Sequence, residues 1–240
     1  MSPEARPTVV LVHGAFADAS GWADVITALG ERGYRCLAPA NPLRGIEPDA
    51  AYLRDFLSTI DGPVVLVGHS YGGAVISNAA TGNVAVRALV YVCAYAPDEG
   101  ERLADANTLG GGKSRLDEHL TIRPYPGAPE GDGDAYIDLD VFHELFCADV
   151  EDRVAAVMAS TQRGVAASSL FTPSGPPAWR VLPCWYLVGA QDGAIPPAAQ
   201  RAMAARMDAH AVEIDSSHVA MISNPEVTTD LVRAAVGAVE

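Results

Sequence analysis

A serine flanked by glycines, a histidine far downstream and a carboxylate between them are the residues of this chain best placed to do chemistry together. The hexapeptide Gly68-His69-Ser70-Tyr71-Gly72-Gly73 carries the pattern G-x-S-x-G and lies between the apolar run Val64–Val67 and a segment with helical spacing from Ala74. In that setting the pattern predicts a nucleophile elbow. A serine on so sharp a strand-to-helix turn takes strained dihedrals, and the residues two before and two after it must lack side chains to avoid collision. Its hydroxyl then projects at the helix N-terminus.

A hydroxyl is a weak nucleophile until a neighbouring imidazole takes its proton, and the chain has six histidines from which to supply one. His69 sits inside the elbow and is expected to point away from it. His119 and His143 fall in an irregular middle segment, and His210 precedes the last strand at what should be the opposite edge. His13 ends an early strand in Val10-Leu11-Val12-His13-Gly14-Ala15-Phe16, where its expected role is to hydrogen-bond the loop backbone. His218 remains. It follows the run Ala211–Ile214 at the carboxyl edge of the sheet, where open α/β sheets keep their active sites. The imidazole needs a carboxylate to fix its tautomer, and Asp192, just past the run Cys184–Val188, is favoured over Asp98, which follows the run Val86–Cys93.

The loop after Val12 should neighbour Ser70, because first and third strands of a doubly wound sheet lie side by side and their helices leave on opposite faces. The backbone N–H of Ala15, or of Phe16, would then converge with that of Tyr71 where a tetrahedral intermediate carries its negative oxygen. These groups form the expected oxyanion hole.

The elements that must position these residues alternate in the first half of the chain. Thr8–Val12, Arg35–Ala38, Val64–Val67 and Val86–Cys93 read as strands, and Gly21–Glu31, Ala50–Ile60 and Ala74–Thr81 as helices. The rhythm returns with strand Cys184–Val188, helix Ala198–Met207, strand Ala211–Ile214 and a closing helix from Pro225 capped by Asn224. The fold class is therefore α/β, a doubly wound and mostly parallel sheet of about six strands flanked by helices. The stretch 97–180 breaks the alternation, with glycines at Gly110–Gly112, a Pro/Gly-rich run from Pro124 to Gly133 and two helical segments, Asp140–Cys147 and Glu151–Gly164. It is expected to be a lid inserted after the fourth strand of a core formed by 1–96 and 181–240.

At 240 residues the chain suits one core domain, and the formal net charge of −14 argues against nucleic acid or an anionic membrane surface as a partner. Lys113 is the single lysine and lies in a Gly-Gly-Gly-Lys-Ser run, so Schiff-base chemistry is not expected. The longest early apolar run, Val9–Val12, is far shorter than the ~7–15 residues of a signal-peptide core, no run has the ~20 of a membrane span, and a cytoplasmic location is expected by default. The isolated cysteines Cys36, Cys93, Cys147 and Cys184 read as reduced, buried and structural. Asp132, Asp134, Asp138 and Asp140 lack the spacing of a calcium loop and read as a solvated acidic hairpin. Neither metal nor cofactor is expected.

With these motifs in view the chain resembles the α/β-hydrolase superfamily over nearly its full length apart from the lid. The His-Gly-Ala start, Trp22, the Gly-His-Ser-Tyr-Gly-Gly elbow and the His218-Val-Ala-Met stretch are similar to the methyl-ester hydrolase and hydroxynitrile lyase branch, with bacterial esterases and pyrethroid hydrolases nearby. The resemblance implies that lyases of that branch carry a threonine where this chain has Gly14 and a lysine where it has Val219. Without that cation to hold departing cyanide, ester hydrolysis is the implied reaction.

The expected substrate is a small-to-medium neutral carboxylic ester or lactone. It would be bound by Phe16, Tyr71 and Val219 with lid residues drawn from Phe142, Leu145, Phe146, Leu170, Phe171 and Trp179. A small-molecule receptor on the same fold and a cofactor-free perhydrolase or oxygenase are the competing readings. A homodimer is an open alternative.

Overall fold

Strands covered on both faces read as unbroken apolar runs rather than alternating ones, and Thr8–Val12 (β1) and Val64–His69 (β3) are buried at every position. The computed structural model describes residues 6–240, so the first five residues of the expected core segment 1–96 lie outside the described residues. Helix Ala23–Glu31 (α1) follows β1 through a 3₁₀ turn at Ala19–Trp22, and strand β2 is reduced to Cys36–Leu37. Helix α2 runs from Ile46 to Leu57 and so begins four residues before the expected Ala50, since Pro48 is tolerated in a first helical turn. After β3 come Tyr71–Ala79 (α3) and Val86–Val92 (β4).

The chain leaves the sheet after β4 and returns at Cys184–Gly189 (β8). Between them lie a short helix Leu103–Ala106 (α4), strands Leu120–Arg123 (β5) and Asp134–Ile137 (β6), helices Leu139–Phe146 (α5) and Asp152–Ser160 (α6), and Val165–Ala166 (β7). Strands β5, β6 and β7 form a separate antiparallel sheet. Helix Pro197–Arg206 (α7), strand His210–Ile214 (β9), a single turn Ala220–Ser223 (α8) and helix Pro225–Gly237 (α9) complete the chain. Asn224 stands at the N-cap of α9 as expected, but its side chain bonds Ser223 Oγ instead of a helix N–H.

The main sheet has the order β2-β1-β3-β4-β8-β9, with every pair parallel. Helix α1 packs with α9 while α2 packs with α3, so the chain changes faces between β1 and β3. That reversal is the topological switch point, and the register there pairs Val12 with Gly68. The loops after β1 and β3 therefore start side by side.

Three cysteines are buried, Cys36 is half-buried, and all four are free. Among the described residues no helix is long and apolar enough to cross a membrane. The acidic run does not converge: Asp132 accepts from Ser168, Asp134 pairs with Arg44 and Asp138 accepts from Thr121.

Candidate active site

Ser70 takes φ 54° and ψ −125° between β3 and α3, a conformation few side chains adopt and one the surroundings must enforce. They do so through the backbone: Ser70 N–H donates to Val92 O at 3.3 Å, and Ser70 O accepts from Gly73 and Tyr95 N–H at 3.0 Å. A Cβ on Gly68 would lie 2.8 Å from the backbone of Gly72, and one on Gly72 would collide with Val12 O. The glycine spacing read from the sequence is thus a packing requirement of the turn.

The loop after β1 reaches the elbow at Gly14, where a Cβ would fall 2.6 Å from Ser70 Cβ. His13 is fully buried and shapes this loop as expected. Its Nε2 accepts from Asn41 N–H at 2.9 Å, so Nδ1–H donates to Gly14 O at 2.8 Å. Burial, helped by the Arg163 guanidinium, holds its pKa below the ordinary histidine range. Of the expected oxyanion donors, Phe16 is removed: its N–H donates to Arg163 O at 3.1 Å. The N–H groups of Ala15 and Tyr71 have no acceptor among the described residues.

Strands β8 and β9 each end in a loop that carries one partner. His218 Nδ1–H donates to Asp192 Oδ2 at 2.7 Å, with both side chains out of solvent. Asp192 Oδ1 accepts from Ala194 and Ile195 N–H at 2.8 and 2.9 Å, and Oδ2 accepts from Gln200 Nε2 at 2.6 Å. Asp98 lies elsewhere, half-exposed and paired with Arg180 at 2.6 Å.

His69 does not point away but lies against His218, ring centroids 4.7 Å apart and the planes tilted by 53°. Its Nε2–H donates to His218 O at 2.9 Å, and Nδ1 has no partner among the described residues. Burial first, then repulsion from His218, hold its pKa well below the usual value. Two carboxylates that sequence reasoning missed support the site from outside it. Asp149 accepts from both the N–H and the hydroxyl of Ser217, and buried Asp49 accepts from Tyr71 Oη at 2.7 Å. Burial pushes the Asp49 carboxyl above the usual carboxylate range. Neither carries a local motif, because each acts through a contact made only by folding.

Ser70 and His218 line one cavity together with Ala15, Phe16, Tyr71 and Phe146. No hydrogen bond joins Ser70 Oγ to His218 Nε2 among the described residues; such bonds often close only around substrate. Leu116, Val165 and Leu170 from the segment between β4 and β8, with Tyr95, Ala194 and Ile195, complete the wall. Both tyrosine hydroxyls are engaged elsewhere, Tyr71 with Asp49 and Tyr95 with Asn107, and neither lysine nor arginine contributes. Three expected binding residues are displaced. Phe142 packs behind Phe146 at 5.0 Å, Trp179 donates its Nε1–H to Pro97 O, and Val219 lines a neighbouring cavity. Phe171, another candidate, is 59% exposed on the surface.

A strand-turn-helix elbow at the switch point, with an aspartate–histidine pair on the last two loops, is the arrangement of the α/β-hydrolase fold. Residues 9–231 match the alpha/beta hydrolase family, and the chain belongs to it. It is 26% identical over 253 residues to the alpha/beta hydrolase nvfD of Aspergillus novofumigatus, covering 97% of each chain. A shorter match, 36% identical over 108 residues, covers 39% of this chain and 44% of the carbendazim hydrolyzing esterase of a Nocardioides species. Among solved structures, a pyrethroid hydrolase from Sphingobium faniae superposes with a TM-score of 0.79 at 22% identity, covering 97% of this chain and 98% of the other.

Proposed function

We propose that the protein is a serine hydrolase that cleaves small-to-medium neutral carboxylic esters or lactones through an acyl-enzyme. The observation that carries this reading is the buried His218–Asp192 pair, whose histidine lines the same cavity as the strained Ser70. In the reaction His218 Nε2 takes the proton of Ser70 Oγ as it attacks the carbonyl carbon, and Asp192 stabilises the imidazolium. The N–H groups of Ala15 and Tyr71 receive the developing oxyanion. His218 then protonates the departing alcohol, and water repeats the cycle on the acyl-enzyme. The segment 97–180 serves as a lid, contributing Leu116, Phe146, Val165 and Leu170 over the serine.

The apolar wall supports a neutral substrate held by burial of apolar surface. Cyanohydrin cleavage is disfavoured: a side chain at Gly14 would press on Ser70, and Val219 supplies no cation. The esterase and hydrolase activities in the relatives' names agree with this choice. Ser70→Ala is expected to lower kcat on p-nitrophenyl esters by ~10⁴–10⁶ with the fold intact, and a serine-directed phosphonate should label Ser70. Near-normal turnover in the variant, or label on another serine, would overturn the assignment.

A further inference from the structure

A second cavity lies beside the first, lined by Met158 and Thr161 on and just after α6, by Asp18 and Ser20 of the loop after β1, and by Val219, Met221 and Ile222 after His218. Phe16 borders both cavities. Its ring meets Phe146 edge-on at 6.2 Å, and it is one of five non-glycine residues with positive φ among the described residues, at 62°. A phenylalanine in that region is strained and persists only when its surroundings over-determine it. Here the N–H bond to Arg163 O, on the segment just after α6, supplies the restraint. With Phe16 and Ser70 each only 6% exposed, the ring closes the serine's cavity on the side of its neighbour.

We propose that Phe16 is the specificity-determining partition between an acyl cavity and an alcohol cavity, limiting the alcohol half of the substrate to small groups. This rests on the ester-hydrolase reading. The direction of each half follows from proton transfer: the departing oxygen must face His218 Nε2, so the alcohol lies on the His218 side of the serine. His218 lines the inner cavity and the next residue, Val219, lines the outer one. The acyl group then occupies the space walled by Tyr71, Tyr95 and Leu170. An alcohol beyond a few carbons must cross the plane of the Phe16 ring into the space walled by Met158, Val219 and Ile222. That space is mostly apolar, with Asp18, Ser20 and Thr161 adding polar groups to its lining, so the larger alcohols admitted once the ring is removed would be mainly hydrocarbon.

The test compares kcat/KM for methyl butanoate and naphthylmethyl butanoate, followed by pH-stat, and reads their ratio. A ratio cancels any uniform loss from disturbing the oxyanion loop. Phe16→Ala is expected to raise the ratio of bulky to small ester by ~10-fold or more, with Phe16→Leu in between. Met158→Trp, which refills the outer cavity from α6, should cancel that gain when combined with Phe16→Ala. Should Phe16→Ala not fold, the rise in Phe16→Leu and its cancellation by Met158→Trp carry the test alone. A ratio that stays constant in the Phe16 variants, or a gain that Met158→Trp leaves intact, overturns the partition while Ser70-dependent turnover keeps the hydrolase reading. Absence of Ser70-dependent turnover on either ester removes both.

Discussion

The carboxylate of Asp192 is held at both oxygens, by two backbone N–H groups on one and by Gln200 and His218 on the other. A carboxamide there would have to turn an N–H toward His218 Nδ1 and force the imidazole into the wrong tautomer. Asp192→Asn is therefore expected to lower kcat by ~10⁴, whereas Asp98→Asn removes only a half-exposed ion pair and should change it by less than ~2-fold. Steady-state kinetics on the two variants decides, and a crippled Asp98→Asn would reverse the assignment. Tyr71 has a second duty on the same scale, since its hydroxyl is a partner of the buried Asp49 carboxylate. Tyr71→Phe removes that hydrogen bond and leaves Asp49 short of a partner, at a cost of ~1–3 kcal/mol. The urea midpoint should fall at constant m-value; an unmoved midpoint would mean that water replaces the hydroxyl.

At the scale of elements, the site depends on helices that touch no reacting atom. Helix α7 buries Gln200, whose amide spans Asp192 Oδ2, Ile195 O and Gly189 N–H and so locks the carboxylate to the end of β8. Gln200→Leu keeps similar bulk but leaves three polar groups without their partner. It is expected to lower kcat ~10–100-fold with KM less affected, the kinetic equivalent of the ~1–3 kcal/mol for an unsatisfied buried group. An equal loss in a neighbouring exposed variant such as Arg201→Ala would show that the helix as a whole, not the amide, matters. Helix α5 acts from the other side: Phe146 lies 4.9 Å from the His218 ring, and Asp149, three residues on, grips Ser217 beside it.

On the scale of the whole molecule, two fully buried histidines tie stability to pH. His13 and His69 are both held below the unfolded value of 6.5 by burial, so the folded state keeps them neutral while the unfolded state takes up their protons. Stability is therefore full above about pH 6.5 and is lost as pH falls below the unfolded pKa toward the depressed folded ones. Urea midpoints measured between pH 7 and pH 5 should decline, and His69→Gln should flatten that decline. A slope unchanged by His69→Gln would show that other groups govern the acid side.

What the amino-acid sequence determined by itself was whatever local sterics and periodicity control. The elbow could be read because Gly68 and Gly72 are demanded by one turn. The strands could be read because burial on both faces leaves unbroken runs such as Val64–Val67. His218 and Asp192 became candidates through the rule that sites collect at the carboxyl edge, and the loop after β1 became the candidate oxyanion loop from its place beside the elbow. Tertiary structure decided everything that depends on two distant segments meeting. Phe16 lost its place as an oxyanion donor because Arg163, distant in sequence, claims its N–H. His69 turned toward His218 because the β9 loop presents a carbonyl there. Asp49 and Gln200 were invisible because a polar residue on a helix reads as surface until packing buries it, and Asp149 because only folding brings Ser217 to it. Trp179 and Phe142 left the cavity wall for the same reason in reverse: an aromatic side chain announces burial, and only the packed chain says against what.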